Sequence, residues 1–174
     1  ALMVESVALA GITEIPIVIV MGQRPGPATG MPTWTEQGDL LFVLHSGHGE
    51  FLKILLAPGD VFEAYELTVQ AFNLADKYQT PVFIIGDKFL QEGHQSVDKS
   101  QILDYKFEIN RGKLLTQGEL NKIINYKRYL ITADGISPRA IPGQRNSKHQ
   151  ANSYEHQEDG HTTEDALERT QQVD

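Results

Sequence analysis

The sequence contains no cysteine, and this absence removes several kinds of chemistry. A chain without cysteine forms no disulfide bonds and offers no thiol nucleophile. It also provides no cysteine ligand for a zinc ion or an iron–sulfur cluster. The absence is typical of proteins in a reducing compartment, so we expect a cytoplasmic location.

Basic residues and long apolar runs are also scarce. The chain has 15 lysines and arginines against 23 aspartates and glutamates, which gives a net charge of −8. Such a chain repels phosphates, so we expect no nucleic-acid partner. The longest apolar stretch, residues 15–21, is far shorter than the roughly 20 residues that cross a bilayer. No signal peptide is recognisable either, and we expect no membrane association.

Three short apolar segments predict buried strands. They comprise residues 15–21, 53–57 and 82–85, and the first and last are rich in β-branched side chains. Apolar runs without alternation are typical of strands in a parallel sheet that helices cover on both faces. The sequence therefore predicts an α/β fold.

A helix between the second and third segments supports this interpretation. Asp60 and Glu63 have the spacing of a helix N-cap and its capping partner. Apolar residues follow at helical spacing, which predicts a helix over residues 61–78. The order strand, helix, strand predicts a βαβ unit.

The remaining segments are less regular. Residues 1–10 predict a helix that begins without a cap, so we expect the native start to be missing, and Gly11 is predicted to end this helix. Residues 39–45 fit a short helix or a strand equally well. Residues 118–129 predict a short helix.

The second part of the chain differs in composition from the first. We divide the chain into an α/β domain over residues 1–110 and an irregular linker or wrapping segment over residues 111–174. This polar C-terminal segment contains His149, His156 and His161. We interpret these histidines as part of a solvated tail rather than as metal ligands.

The loop over residues 24–33, with the sequence RPGPATGMPT, is the strongest functional candidate. It follows the first predicted strand, and open parallel sheets bind ligands at the carboxyl ends of their strands. Arg24 offers a planar fork of donors for a carboxylate or phosphate, and Thr29 and Thr33 add hydroxyl groups. The pattern predicts an anion-binding loop; the alternative interpretation is a rigid turn with a surface arginine.

A second candidate segment is Gly-His-Gly-Glu at residues 47–50. His48 between two glycines fits a ligand contact or a proton relay, and it fits an ordinary turn equally well. His45 and His48 have helical spacing, but no third ligand accompanies them, so we predict no metal site in this chain.

These segments together resemble the α subunits of 2-oxoacid:ferredoxin oxidoreductases, in particular those of the 2-oxoglutarate type. The matching stretches are residues 2–6, 13–16, 24–33, 35–40, 47–50, 56–59, 71–75, 132–139 and 160–164. Because the stretches are long and in order, chance is a poor explanation for the similarity.

The resemblance implies a fold and a reaction. The fold is the pyrimidine-binding domain of a thiamine-diphosphate enzyme, incomplete on its N-terminal side and followed by an extended polar C-terminal segment. The reaction is the oxidative decarboxylation of a 2-oxoacid, expected to be 2-oxoglutarate, with transfer of the acyl group to coenzyme A and of electrons to ferredoxin. A β subunit shares the thiamine diphosphate with its Mg²⁺ and holds the iron–sulfur cluster. We expect no activity from this chain alone.

The resemblance also implies roles for individual residues. Arg24 matches an arginine that binds the substrate carboxylate, and Thr33 matches a threonine of the substrate pocket. Thr29 matches a loop position near the same pocket. Gly47 and His48 lie in a motif near the active site, and we predict them as cofactor contacts.

Two other functions remain as alternatives. A non-catalytic assembly or binding module that retains this fold is favoured if the native chain has this length, because the motifs that contact the aminopyrimidine lie upstream in the family. An unrelated phosphate-binding α/β domain is the second alternative, since the loop of residues 24–33 suits other anions.

Overall fold

Three parallel strands form a single sheet in the computed structural model, which describes residues 3–173. They are β1 (Val18–Gln23), β2 (Ile54–Leu56) and β3 (Val82–Asp87), arranged in the order β1, β3, β2. The central strand β3 pairs with both neighbours, and its side chains are buried from Val82 to Ile85. This burial on both faces confirms the prediction for the third strand.

Helices lie before, between and after the strands. They are α1 (Val4–Ile12), α2 (Leu40–Leu44), α3 (Val61–Tyr78), α4 (Lys88–Glu92), α5 (Lys99–Leu103), α6 (Gln117–Leu120) and α7 (Ala166–Val173). Among the described residues, every helix is too short or too polar to span a membrane.

The helices cover the sheet on both faces and create two hydrophobic cores. Alternate side chains of β3 point to opposite faces, as the pleat of a strand requires. The core between the sheet and helices α1 and α2 contains Val7, Val43, Phe83 and Ile85. The core between the sheet and helix α3 contains Ala71, Ala75, Val82 and Ile84. The predicted α/β architecture, a parallel sheet flanked by helices, is therefore confirmed.

Helix α3 has the predicted bounds, and its first turn explains why. The Asp60 carboxylate accepts a hydrogen bond from the Glu63 backbone N–H at 2.8 Å. The Glu63 carboxylate in turn accepts from the Gly59 backbone N–H at 2.7 Å, one residue before the position of a regular capping box. Both contacts are local in sequence, so the capping pattern was sufficient to predict the start of the helix.

The first strand differs from its prediction. It begins at Val18 rather than at residue 15, and the side chain of Val20 is 66% exposed, so the expected burial on both faces is wrong for β1. The physical reason is incomplete coverage: β1 is an outer strand of the described sheet, and helix α3 packs mainly against the central strand β3.

Two predictions about the N-terminal half are settled by helices α1 and α2. Gly11 lies inside α1, which ends at Ile12, so the predicted stop at Gly11 is wrong. The prediction of a helix at residues 1 and 2 lies outside the described residues. Residues 39–45, which fitted either a helix or a strand, contain helix α2, and of its residues only Val43 is buried.

Residues 111–174 lie against the α/β part of the chain through specific polar contacts. Asp76 of helix α3 forms ion pairs with Arg111 and Arg139. Arg128 donates a hydrogen bond to the Glu14 carboxylate at 2.9 Å. These contacts attach residues 111–174 to the α/β part of the chain. The division of the chain into two units at residue 110 stays a prediction.

The interpretation of the tail as solvated is wrong for one histidine. His156 is only 2% exposed, and its ring stacks on Tyr129 at a centroid distance of 3.8 Å. Its Nε2 lies 2.9 Å from the backbone oxygen of Ile12. A buried imidazole thus connects the tail to the end of helix α1, which composition alone did not indicate.

We predict that Asp76→Ala lowers the free energy of unfolding by about 2–3 kcal/mol, because it leaves the partly buried Arg139 guanidinium without its carboxylate. The loss is measured by urea denaturation of the two proteins. Glu92→Ala serves as the control, since it removes the exposed Lys88–Glu92 pair and is expected to change stability little. Equal losses in the two variants would contradict the structural role of Asp76.

Candidate functional site

The loop that follows β1 begins at the carboxyl edge of the sheet. Gln23, the last residue of β1, pairs in register with Asp87, the last residue of β3. Residues 24–38 then leave the sheet, and all of them except Pro25 are exposed. This is the edge at which open parallel sheets bind ligands, so the structure places the candidate loop where the sequence predicted it.

Arg24 organises the first half of this loop. Its Nε donates a hydrogen bond to the backbone oxygen of Thr29 at 2.9 Å, and Nη2 makes a longer contact of 3.5 Å to the oxygen of Ala28. The backbone N–H of Met31 donates to the oxygen of Pro25 at 2.9 Å. The loop therefore folds back on itself around the arginine side chain.

The Arg24 guanidinium keeps free donors in this arrangement. A guanidinium carries five N–H donors, and the two contacts above leave three of them, at Nη1 and Nη2. Within residues 3–173 no carboxylate forms an ion pair with Arg24, and its side chain is exposed. The group is thus held in place while its end remains available for a planar anion.

Gly30 allows the loop to close. Its φ angle of +54° lies in the left-handed region, and a Cβ atom built on it would lie 1.8 Å from the oxygen of Pro25. Any side chain at this position therefore collides with the backbone oxygen of Pro25, the atom that accepts the hydrogen bond from the Met31 N–H. The residue type is dictated by the close approach of two backbone segments.

The structure brings two of the three predicted substrate residues into contact. Arg24 and Thr29 are joined through the Thr29 backbone oxygen, so the Thr29 hydroxyl remains unused by this contact. Thr33 lies in the next turn, which the Trp34 N–H closes by donating to the oxygen of Met31 at 3.0 Å. The side chains of all three residues are exposed on the same loop.

Asp87 joins the second half of the loop to the sheet. Its Oδ1 accepts from the Leu90 backbone N–H at 2.9 Å and caps helix α4. Its Oδ2 accepts from Nε2 of Gln37 at 3.2 Å. These hydrogen bonds, led by the one from Leu90, hold the pKa of Asp87 below its ordinary value, so the carboxylate is ionised at neutral pH.

A pocket of about 830 Å³ opens at this edge of the sheet. Its polar lining includes Gln23, Gln37 and Asp87, and its apolar lining includes Leu40 and Phe89. Volumes of this order are typical of sites for small molecules and cofactors. The pocket is assembled from the ends of β1 and β3 and from the connection between β2 and α3, so it depends on strand order.

Gln23 is a candidate that sequence reasoning missed. It is only 6% exposed, and its carboxamide makes no hydrogen bond to another group within the described residues. The side chain lines the pocket, where it offers both a donor and an acceptor. Its one sequence signal was its place as a polar residue at the end of an apolar strand.

The segment containing Gly47 and His48 lies at the amino ends of the strands, opposite the loop of Arg24. These residues precede β2, and they come close to Phe51, whose ring would lie 2.7 Å from a Cβ atom at position 47. His48 lines a separate cavity of about 620 Å³ with Thr80, which precedes β3. The structure does not bring His48 to the loop of Arg24, and its role as a cofactor contact stays a prediction.

Across positions 3–173, no three histidine, aspartate or glutamate side chains lie close enough together to hold a metal ion.

We predict that Gly30→Ala opens the loop while the fold persists, because the clash is confined to an exposed segment. Hydrogen exchange should become faster at the Met31 amide, whose hydrogen bond to Pro25 is lost. Gly26→Ala is the matched control in the same loop, since a Cβ atom there meets no atom within 4 Å. Unchanged exchange at Met31 in Gly30→Ala would contradict the assigned loop geometry.

Comparison with known proteins identifies relatives of this chain. A subunit α of 2-oxoacid:ferredoxin oxidoreductase 1 from Sulfurisphaera tokodaii is 44% identical over 170 residues, which are 98% of this chain and 26% of the relative. A 2-oxoglutarate synthase subunit KorA from Methanocaldococcus jannaschii is 40% identical over 109 residues, which are 61% of this chain and 30% of the relative. The chain thus spans about a quarter of the length of such relatives.

A solved structure gives the same result. The 2-oxoglutarate:ferredoxin oxidoreductase from Magnetococcus marinus, with 2-oxoglutarate, coenzyme A and succinyl-CoA bound, superposes with a TM-score of 0.85 at 37% identity. The match covers 97% of this chain and 28% of that one. The family model for the thiamine-diphosphate-binding domain of pyruvate flavodoxin/ferredoxin oxidoreductases matches residues 1–174. The chain therefore belongs to this family of thiamine-diphosphate-binding oxidoreductase domains.

Proposed function

We propose that this chain forms the substrate-carboxylate site in the α subunit of a 2-oxoacid:ferredoxin oxidoreductase. The observation that carries the proposal is the Arg24 guanidinium, fixed by the loop but with three N–H donors free at the ligand-binding edge of the sheet. A planar carboxylate matches this fork of donors. The names of the relatives support the class of reaction.

In this proposal the loop orients the substrate. Arg24 holds the carboxylate of the 2-oxoacid, and the hydroxyls of Thr29 and Thr33 complete the pocket. A substrate held in one orientation presents its keto carbon to the cofactor, and such positioning lowers the entropic part of the barrier. Thiamine diphosphate, when bound, supplies the electron sink for decarboxylation.

The proposed reaction releases CO₂, transfers the acyl group to coenzyme A and passes electrons to ferredoxin. We propose 2-oxoglutarate as the substrate. Two findings support this choice: the 2-oxoglutarate synthase relatives, and the similar solved structure that contains 2-oxoglutarate and succinyl-CoA.

The residues of the pocket fit part of the cofactor. The buried carboxamide of Gln23, which lacks a partner among the described residues, suits a polar heterocycle that needs a donor and an acceptor. We assign Mg²⁺ and the diphosphate group mainly to the β subunit, as the resemblance to the family implies. We assign the iron–sulfur cluster to the same partner, as the resemblance implies and in agreement with the lack of cysteine in this chain, and we place the assembly in the cytoplasm.

We predict that Arg24→Ala lowers kcat/KM for 2-oxoglutarate about ten- to a hundredfold in the assembled enzyme, because a charge-assisted bidentate contact is lost. The kcat/KM of Arg24→Lys should lie between those of the wild type and Arg24→Ala, since lysine keeps the charge but not the planar fork. Steady-state kinetics with ferredoxin as acceptor measure the effect.

Arg145→Ala is the control, because this exposed arginine lies outside the loop. It should leave kcat/KM unchanged, and size-exclusion chromatography should show intact assembly for every variant. Unchanged kinetics in Arg24→Ala would contradict the proposed substrate role of this residue.

A further inference from the structure

The loop of residues 24–38 has few connections to the sheet. Its backbone hydrogen bonds join loop residues to one another, as at Met31 and Trp34, and Arg24 bonds to loop oxygens. Within the described residues, the one side-chain hydrogen bond from its second half to the sheet runs from Gln37 to Asp87. The position of the exposed second half therefore depends on a single carboxylate.

The sheet register places this carboxylate at the base of the loop. Gln23 and Asp87 are paired residues at the carboxyl ends of adjacent strands, so the loop leaves the sheet directly beside Asp87. Gln37 then returns to Asp87 before helix α2 begins at Leu40. Both ends of the loop thus lie next to Asp87 in the central strand, and this restricts the conformations that the loop can adopt.

The carboxylate itself has a fixed orientation. Oδ1 accepts from the Leu90 N–H in the first turn of helix α4, and this leaves Oδ2 directed at Gln37. An N-cap bond constrains the side chain more strongly than a surface contact does, because the donor is part of the backbone. Helix α4 consequently determines where Gln37 is held.

We propose that Asp87 is a positioning residue that sets the loop carrying Arg24 relative to the sheet through Gln37. Its kinetic consequence rests on the proposed function of Arg24, whereas its effect on the loop does not. A structural role limited to capping helix α4 would require no contact with Gln37. The two roles therefore separate when the Gln37 contact is changed and the cap is kept.

Exchanging the acid and amide groups of Asp87 and Gln37 distinguishes the positioning role from the capping role. Gln37→Glu places two carboxylates against each other and converts the contact into repulsion. Asp87→Asn keeps an oxygen for the Leu90 N–H, since asparagine is also a good N-cap, and rotation of the Gln37 amide preserves the second bond. The double variant Asp87→Asn/Gln37→Glu restores the hydrogen bond with its donor and acceptor reversed.

The experiment measures hydrogen exchange of residues 24–38 and KM for 2-oxoglutarate in the assembled enzyme. In Gln37→Glu we expect exchange of the loop and KM to rise about two- to tenfold, the range that corresponds to one lost hydrogen bond, with kcat changed less. Asp87→Asn should show the same hydrogen exchange in the loop as the wild type, because both hydrogen bonds are kept. The double variant should recover both quantities.

Asp98→Asn provides a matched control. Asp98 caps another five-residue helix, α5, through the Ser100 N–H at 2.8 Å, and it makes no described contact with the loop. This variant should change neither quantity.

Each result has a distinct meaning. Recovery of exchange in the double variant supports the positioning role. Unchanged exchange in Gln37→Glu, or no recovery in the double variant, overturns it. If exchange follows the predicted pattern and KM stays constant in all variants, the positioning role is supported and the proposed substrate role of Arg24 fails.

Discussion

The parallel pairing of β3 with both neighbouring strands is the interaction on which the rest of the structure depends. It buries the central strand between two helix layers, and its alternating side chains supply both hydrophobic cores. The same register sets Gln23 beside Asp87 at the carboxyl edge. The base of the candidate loop and the pocket next to it are therefore consequences of strand pairing rather than of local sequence.

The loop combines internal hydrogen bonds with N–H donors of Arg24 that make no contact among the described residues. Arg24 uses Nε to hold the Thr29 oxygen, and Gly30 permits the backbone contact that closes the turn. These contacts fix the orientation of the Arg24 guanidinium and leave its remaining N–H donors available for a ligand. A preorganised donor of this kind loses less entropy on binding than a free surface arginine, and this is the physical basis for our proposal that Arg24 binds substrate.

Local signals predicted much of this structure, and non-local contacts account for what they missed. Helix α3 had its predicted bounds because Asp60 and Glu63 act within one turn. The loop of Arg24 was located correctly, since glycine and proline directly after a strand indicate a loop without any knowledge of distant contacts. The Gln37–Asp87 contact spans 50 positions in sequence, and the burial of His156 depends on Ile12 at a separation of 144. Neither is readable without the strand order and the tertiary packing.

A crystal structure of the assembled enzyme with 2-oxoglutarate bound, before turnover, tests the central claim most directly. The account predicts that the carboxylate next to the keto group accepts hydrogen bonds from Nη1 and Nη2 of Arg24 at about 2.7–2.9 Å. It also predicts that Nε of Arg24 keeps its 2.9 Å hydrogen bond to the Thr29 oxygen. A substrate carboxylate held entirely by other groups, with Arg24 still free, would contradict the account.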